Sequence, residues 1–171
     1  MGSMDASQDA WERRRRGIDC PLCAPRADFD DSVYRVRQLS SCTLYLARDQ
    51  RYRGCCRAIY DPRHVNRIDE LSAREWLQLA EDLWHAQRAL VRTVRCEHIN
   101  LASLGNEVPH LHWHLIPRYR DDGQWTKPIW RSDAASEPAL RLAEADYAAL
   151  AAALNEALDA ELATAPAAAA R

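Results

Sequence analysis

Three histidines at strict alternation, His110, His112 and His114, are the residues of this 171-residue chain best placed to do chemistry. Alternate residues of a β-strand share a face, so an extended run from His110 to Ile116 sets three imidazoles on one side, about 7 Å apart. Leu111, Trp113 and Leu115 then anchor the other side in a core. Three polar rings on one face need a compensating partner. Two partners suit them: a metal ion held by all three, or a phosphate with one ring acting as nucleophile. An imidazole of pKa near 6.5 is mostly neutral, and therefore nucleophilic, at pH 7.

A second group is Cys20-Pro-Leu-Cys23. The chain has six cysteines, at 20, 23, 42, 55, 56 and 96, and is long enough to hold a core without disulfides. Arg13 to Arg16 lead into Gly-Ile-Asp-Cys rather than an apolar segment, so no signal peptide is expected and the compartment reads as cytoplasmic. In a reducing setting the Cys-x-x-Cys spacing reads as a metal knuckle or a redox pair before a disulfide.

These groups must be positioned by a fold. A net charge of −2 asks for neither a nucleic-acid backbone nor an anionic membrane as partner, and no apolar run approaches a membrane span of roughly 18 residues. The arginines at 13 to 16 lack interleaved aromatics, which argues further against nucleic acid. Residues 1–16 read as a flexible arm, helical from Ala10 to Arg16, its opening Met1-Gly-Ser-Met4 reading as an appended remnant with Met4 as the native start. Residues 17–164 read as one domain and 165–171 as a low-complexity tail. Strands are expected at Val33–Arg37, Cys42–Ala47 and Cys55–Tyr60, the last ended by Asp61-Pro62. Ser72-Ala-Arg-Glu75 is a capping box opening a helix to about Arg95. Its apolar stripe is Trp76, Leu79, Ala80, Leu83, Leu90, Val91 and Val94, and His85, off the stripe, is expected at the surface. His98–Leu104 and His110–Ile116 read as an antiparallel pair joined by Gly105–Pro109. An irregular Trp-rich stretch from Arg118 to about Ser136 and an alanine- and leucine-rich helix from Ala143 to Ala163 complete the chain. The fold class is α+β, an antiparallel sheet of about five strands with one long packed helix and a C-terminal helix.

The run His110-Leu-His-Trp-His-Leu-Ile-Pro-Arg118 resembles the signature of the histidine triad (HIT) superfamily, and the resemblance extends over roughly residues 20 to 119. It implies a HIT-like fold and nucleotidyl transfer at an α-phosphate. His112 would attack phosphorus to form a covalent nucleotidyl-histidine, His114 would donate to a non-bridging oxygen, and His110 would complete the catalytic set. The substrate implied is a purine nucleoside phosphoramidate or dinucleoside polyphosphate. Asn106, with Asn100 second, would contact phosphate, and Asp49 would accept from the ribose hydroxyls. A glycine-asparagine turn and a turn aspartate are the plainer readings of Asn106 and Asp49. The resemblance also implies a structural zinc held by Cys20, Cys23, His64 and His110 and a family that is often homodimeric, for which the long helix could pair; no organic cofactor is expected. Gly54-Cys55 stands where the family commonly has Gly-His, and the Gly105–Pro109 loop is short and lacks a Gly-Gln-Ser element. The short loop and Trp125-Thr-Lys-Pro-Ile-Trp130 resemble bacterial diadenosine tetraphosphate hydrolases. Two alternatives remain open at this point: a nucleotide-binding module with little turnover, and a zinc-dependent hydrolase using all three histidines, with Glu107 the nearest acid.

Overall fold

A computed structural model describes residues 6–24, 30–129 and 138–164. Met1–Met4, the tail 165–171 and the Trp130–Ser136 end of the Trp-rich stretch lie outside the described residues. Five strands form one antiparallel sheet in the order β1-β2-β3-β5-β4: β1 Val33–Gln38, β2 Cys42–Ala47, β3 Cys56–Tyr60, β4 His98–Ala102 and β5 His112–Arg118. Helix α1 spans Ala6–Arg15, α2 Ala73–Val94 and α3 Glu144–Thr164. This is the expected α+β architecture.

Alternation decides which face is core. Leu44, Leu46, Cys56, Ala58, Tyr60 and Leu115 join Leu79, Leu83, Leu90, Tyr147, Leu154 and Leu158 in one cluster beneath α2 and α3. The other face carries a much smaller cluster, in which Leu22 covers Val33, Tyr45 and Ile59. The segment bearing Cys20 and Cys23 is thereby laid over the sheet.

The Ser72 capping box is formed: Ser72 Oγ accepts from Glu75 N–H, and Glu75 Oε2 accepts from Ser72 N–H at 2.7 Å. Arg95 closes α2 in the left-handed region at φ 53°, its N–H donating to the Val91 carbonyl. Gly54 turns β2 into β3 at φ +83°, where a Cβ would lie 2.6 Å from Val94 Cγ1. A glycine is required there by both backbone and space.

His85 is buried at 3 % exposure, not on the surface as its place off the stripe suggests. The reason is that α3 packs along a second arc of α2, so the covered face is wider than the stripe facing the sheet. Val91, counted in the stripe, is exposed. Asp82, also buried, accepts from the Ser41 N–H and hydroxyl and so ties α2 to the β1–β2 turn.

Candidate functional site

Strand β5 begins at His112, and that start divides the three histidines. Ile59 faces His112 and Arg57 faces His114 across the β3–β5 ladder, so these four side chains rise from the same face of the sheet. They line a cleft of ≈ 290 Å³ with Leu22 and the loop residues Leu104, Gly105, Asn106, Glu107 and Val108. That size is at the lower end for ligand pockets. The His112 and His114 rings are 5.0 Å apart, edge to face. The cleft has an apolar wall in Leu22, Ile59, Leu104 and Val108 and a nitrogen-rich wall in the two histidines and Arg57.

His112 Nδ1 lies 2.7 Å from the His110 carbonyl oxygen. A carbonyl only accepts, so Nδ1 carries the proton and the lone pair of the neutral ring is on Nε2. Burial, the neighbouring His112 and the Arg57 guanidinium together hold His114 down at about 4. It is therefore a neutral ring at pH 7, able to donate one hydrogen bond.

This depression has a measurable consequence. The folded-state value lies below the roughly 6.5 of an unfolded histidine, so the unfolded chain binds the proton first as pH falls. His114's contribution is complete above about pH 6.5 and is lost as pH falls toward about 4. Denaturant unfolding at pH 7, 5.5 and 4.5 should show a smaller loss of stability in His114→Asn than in the wild type. NMR should show the His114 ring still neutral at pH 5.5, and an ordinary midpoint near 6.5 would contradict it.

His110 precedes the strand and is 3 % exposed. Its Nε2–H donates to the Tyr60 carbonyl at 2.8 Å, which turns Nδ1 toward Cys20 Sγ at 3.5 Å and Cys23 Sγ at 3.4 Å. His64 repeats the arrangement: Nε2 lies 3.1 Å from the Arg15 carbonyl, and Nδ1 lies 3.2 Å from Cys23 Sγ. The four donor atoms all lie within 4.8 Å of one another. Ligands bonded at 2.0–2.3 Å in a tetrahedron are separated by roughly 3.3–3.8 Å, so the cluster fits a metal ion. Two carbonyls fix both imidazole tautomers, as outer partners of metal-bound histidines commonly do. The three triad rings thus do not share one site. Both His110 nitrogens are engaged outside the cleft, and of the three triad rings only His112 and His114 line it.

The remaining expected residues are dispersed. Asn106 lines the cleft. Asn100 does not: its Oδ1 accepts from Arg118 Nη1 at 3.2 Å. Asp49 also lies outside the lining, its carboxylate bonded to Arg51 Nε at 2.8 Å and to the Leu140 N–H at 3.3 Å. Glu107 borders the cleft, and its carbonyl accepts from Arg14 of α1. Arg118, the final residue of the histidine run, is 2 % exposed and pins the following loop through Asp122 and the Gln124 and Lys127 carbonyls. Arg57 and Leu22 were not expected in the site. Leu22 gave no signal beyond standing between the two cysteines, whereas Arg57 was visible as a charge inside an otherwise apolar strand. Outside the cluster, burial pushes the thiols of Cys42, Cys55, Cys56 and Cys96 up, which disfavours the nucleophilic thiolate at each.

A family model described as the HIT domain matches residues 34–121, just over half of the chain. The chain belongs to the HIT family. Solved structures agree on the fold. A histidine triad protein from Bradyrhizobium japonicum is similar at 22 % identity and TM-score 0.69, over 81 % of this chain and 99 % of that one. A histidine triad nucleotide-binding protein from Sulfolobus tokodaii is similar at 18 % identity and TM-score 0.58, over 75 % and 85 %. A Zn-bound histidine triad family protein from Mycobacterium smegmatis is similar at 17 % identity and TM-score 0.55, over 77 % and 87 %. A search of curated proteins finds no match. HIT membership points to nucleotide binding or hydrolysis. Cys20 and Cys23 precede the matched stretch, so their place in the HIT site rests on the geometry above. Among the described residues no helix is long and apolar enough to cross a membrane.

Proposed function

We propose that this HIT protein is a nucleotide hydrolase or nucleotidyltransferase that works through a covalent nucleotidyl-His112. The observation that carries the reading is the 2.7 Å bond from His112 Nδ1 to the His110 carbonyl, which leaves the Nε2 lone pair for attack beside a second neutral imidazole. The apolar wall of Leu22, Ile59, Leu104 and Val108 suits a nucleoside, and a purine is the base we assign to it.

The lone pair of His112 Nε2 forms a bond to the α-phosphorus. The bond from phosphorus to the leaving oxygen or nitrogen breaks, and its electron pair departs with the leaving group. The ring becomes a cation, and its Nδ1–H bond to the His110 carbonyl tightens as charge develops, so the interaction is strongest where it lowers the barrier. His114, neutral and partly buried, donates to a non-bridging oxygen. Asn106 offers a second donor from the loop. The leaving group takes a proton from solvent; water then attacks phosphorus and gives up a proton to solvent, the P–N bond breaks, its electrons return to Nε2, and the nucleoside monophosphate leaves. Phosphoramidates and dinucleoside polyphosphates are the substrate classes.

The metal of the Cys20, Cys23, His64 and His110 cluster is proposed to be zinc in a structural role. Four protein donors close a tetrahedral site and leave no open position for water. This also disfavours a zinc hydrolase built on all three histidines, since His110 is committed to the cluster. Asp49 as a ribose acceptor and Asn100 as a phosphate ligand would need their present partners displaced.

The test is intact mass spectrometry after brief incubation with adenosine and guanosine phosphoramidates and dinucleoside polyphosphates. A nucleoside monophosphoryl adduct on His112 is expected with at least one of them. Turnover without an adduct under rapid quench would favour direct attack by water.

A further inference from the structure

Arg57 stands in the cleft without an anionic partner among the described residues. It is opposite His114 on the β3–β5 ladder and lines the cleft with both histidines. Its Nε is buried and has no hydrogen-bond partner among the described residues. No ion pair to it exists among them either, although Glu107 borders the same cleft. Elsewhere in the chain buried arginines are answered: Arg118 holds Asp122 at 2.7 Å, and Arg48 holds Glu144 at 2.5 Å. A buried donor left unmade is destabilising, and more so on a cation. The guanidinium also disfavours a proton on His114, so that ring does not answer its charge.

Position narrows the choice of ligand. Ile59, opposite His112, packs with Leu22 and makes that part of the cleft apolar. One residue pair along the ladder, Arg57 and His114 make the next part polar. Arg57 therefore stands across the ladder from the two rings, on the strand that carries no catalytic group, and is placed to meet the next anion of a phosphate chain held at His112 and His114. A planar guanidinium with an unfilled inward N–H matches phosphate oxygens by geometry and charge. We infer that Arg57 is a specificity-determining residue that binds a second phosphate of the nucleotide. The site then selects compounds with a phosphoanhydride chain over nucleoside monophosphates and phosphoramidates, which offer no second anion. This inference rests on the reading of the cleft as a nucleotide phosphate site.

The experiment is calorimetric titration of the metal-loaded full chain with AMP and with the non-hydrolysable α,β-methylene analogue of ADP. Wild type should bind the diphosphate analogue about tenfold or more tighter than AMP, the size of one charge-assisted hydrogen bond. Arg57→Gln should remove that advantage while leaving AMP affinity within about threefold, and Arg57→Lys should restore part of it. Pyrophosphate should likewise displace AMP from wild type about tenfold more effectively than inorganic phosphate, a comparison that needs no variant to fold. Equal affinities in wild type, or an equal loss for both nucleotides in Arg57→Gln, would overturn the role of Arg57 and leave the nucleotide site standing. Failure of both nucleotides to bind folded wild type at millimolar concentration would remove the nucleotide reading and this inference together.

Discussion

Replacing His112 with asparagine should abolish turnover and leave nucleotide affinity nearly unchanged. The amide of asparagine keeps a polar group of similar reach and a donor that can still meet the His110 carbonyl. The cleft contacts from His114, Arg57 and the 104–108 loop remain in place. What is lost is the lone pair on a basic nitrogen, and without it the covalent route closes. The rate should fall by orders of magnitude and the dissociation constant should change by no more than a few-fold, the pattern of an interaction made mainly in the transition state. His114→Asn should be milder, about 3–4 kcal/mol in the barrier if its ring serves as one oxyanion donor. Steady-state kinetics, with calorimetry on the same preparations, measures both effects. Near wild-type turnover by His112→Asn on every active substrate would remove the nucleophile assignment.

The parts of this site legible in the sequence are those governed by short-range periodicity. Alternation places His112 and His114 on one face, and Ser72 with Glu75 marks the start of α2 ahead of Trp76, the first residue of the apolar stripe. The same rule misplaced His110, because alternation holds only within a strand and β5 starts at His112. Whether a residue lies inside or just outside a ladder is set by its neighbours in space; here the Leu111 N–H pairs with the Val65 carbonyl. His85 departs from its expected place for a related reason. Helical periodicity reports one buried stripe, and nothing local announces that α3 will cover a second one. The metal cluster drew on four distant residues, and spacing alone suggested only the Cys20–Cys23 half. Asp49 and Asn100 show the limit from the other side: residue type allowed a ligand role, but Arg51 and Arg118 are the partners the fold supplies.

Loss of the metal should reach the cleft as well as the fold, because His110 serves both. Its ring stands with Cys20 and Cys23, and its carbonyl accepts the His112 proton. Purified protein should carry about one zinc per chain, and Cys20→Ser should lower zinc content and melting temperature together. Structural zinc in isolated peptides contributes on the order of 10 kcal/mol, but a domain with its own core should lose only part of that. The loss falls on specific contacts. The N-terminal segment is held to the sheet at Cys20, Cys23 and Arg15, the last through His64, and it carries Leu22 over Ile59. Loosening it should open the apolar wall of the cleft and let the His110 carbonyl shift. Nucleotide affinity and rate should therefore both decline in Cys20→Ser, whereas His112→Asn touches the rate alone. A chelator should act in the same direction, slowly, and re-addition of zinc should restore melting temperature and affinity in wild type but not in the variant. A catalytic zinc would behave differently, with activity gone at once and affinity kept. Metal-free protein of unchanged melting temperature and unchanged affinity would show that the four residues meet without holding an ion.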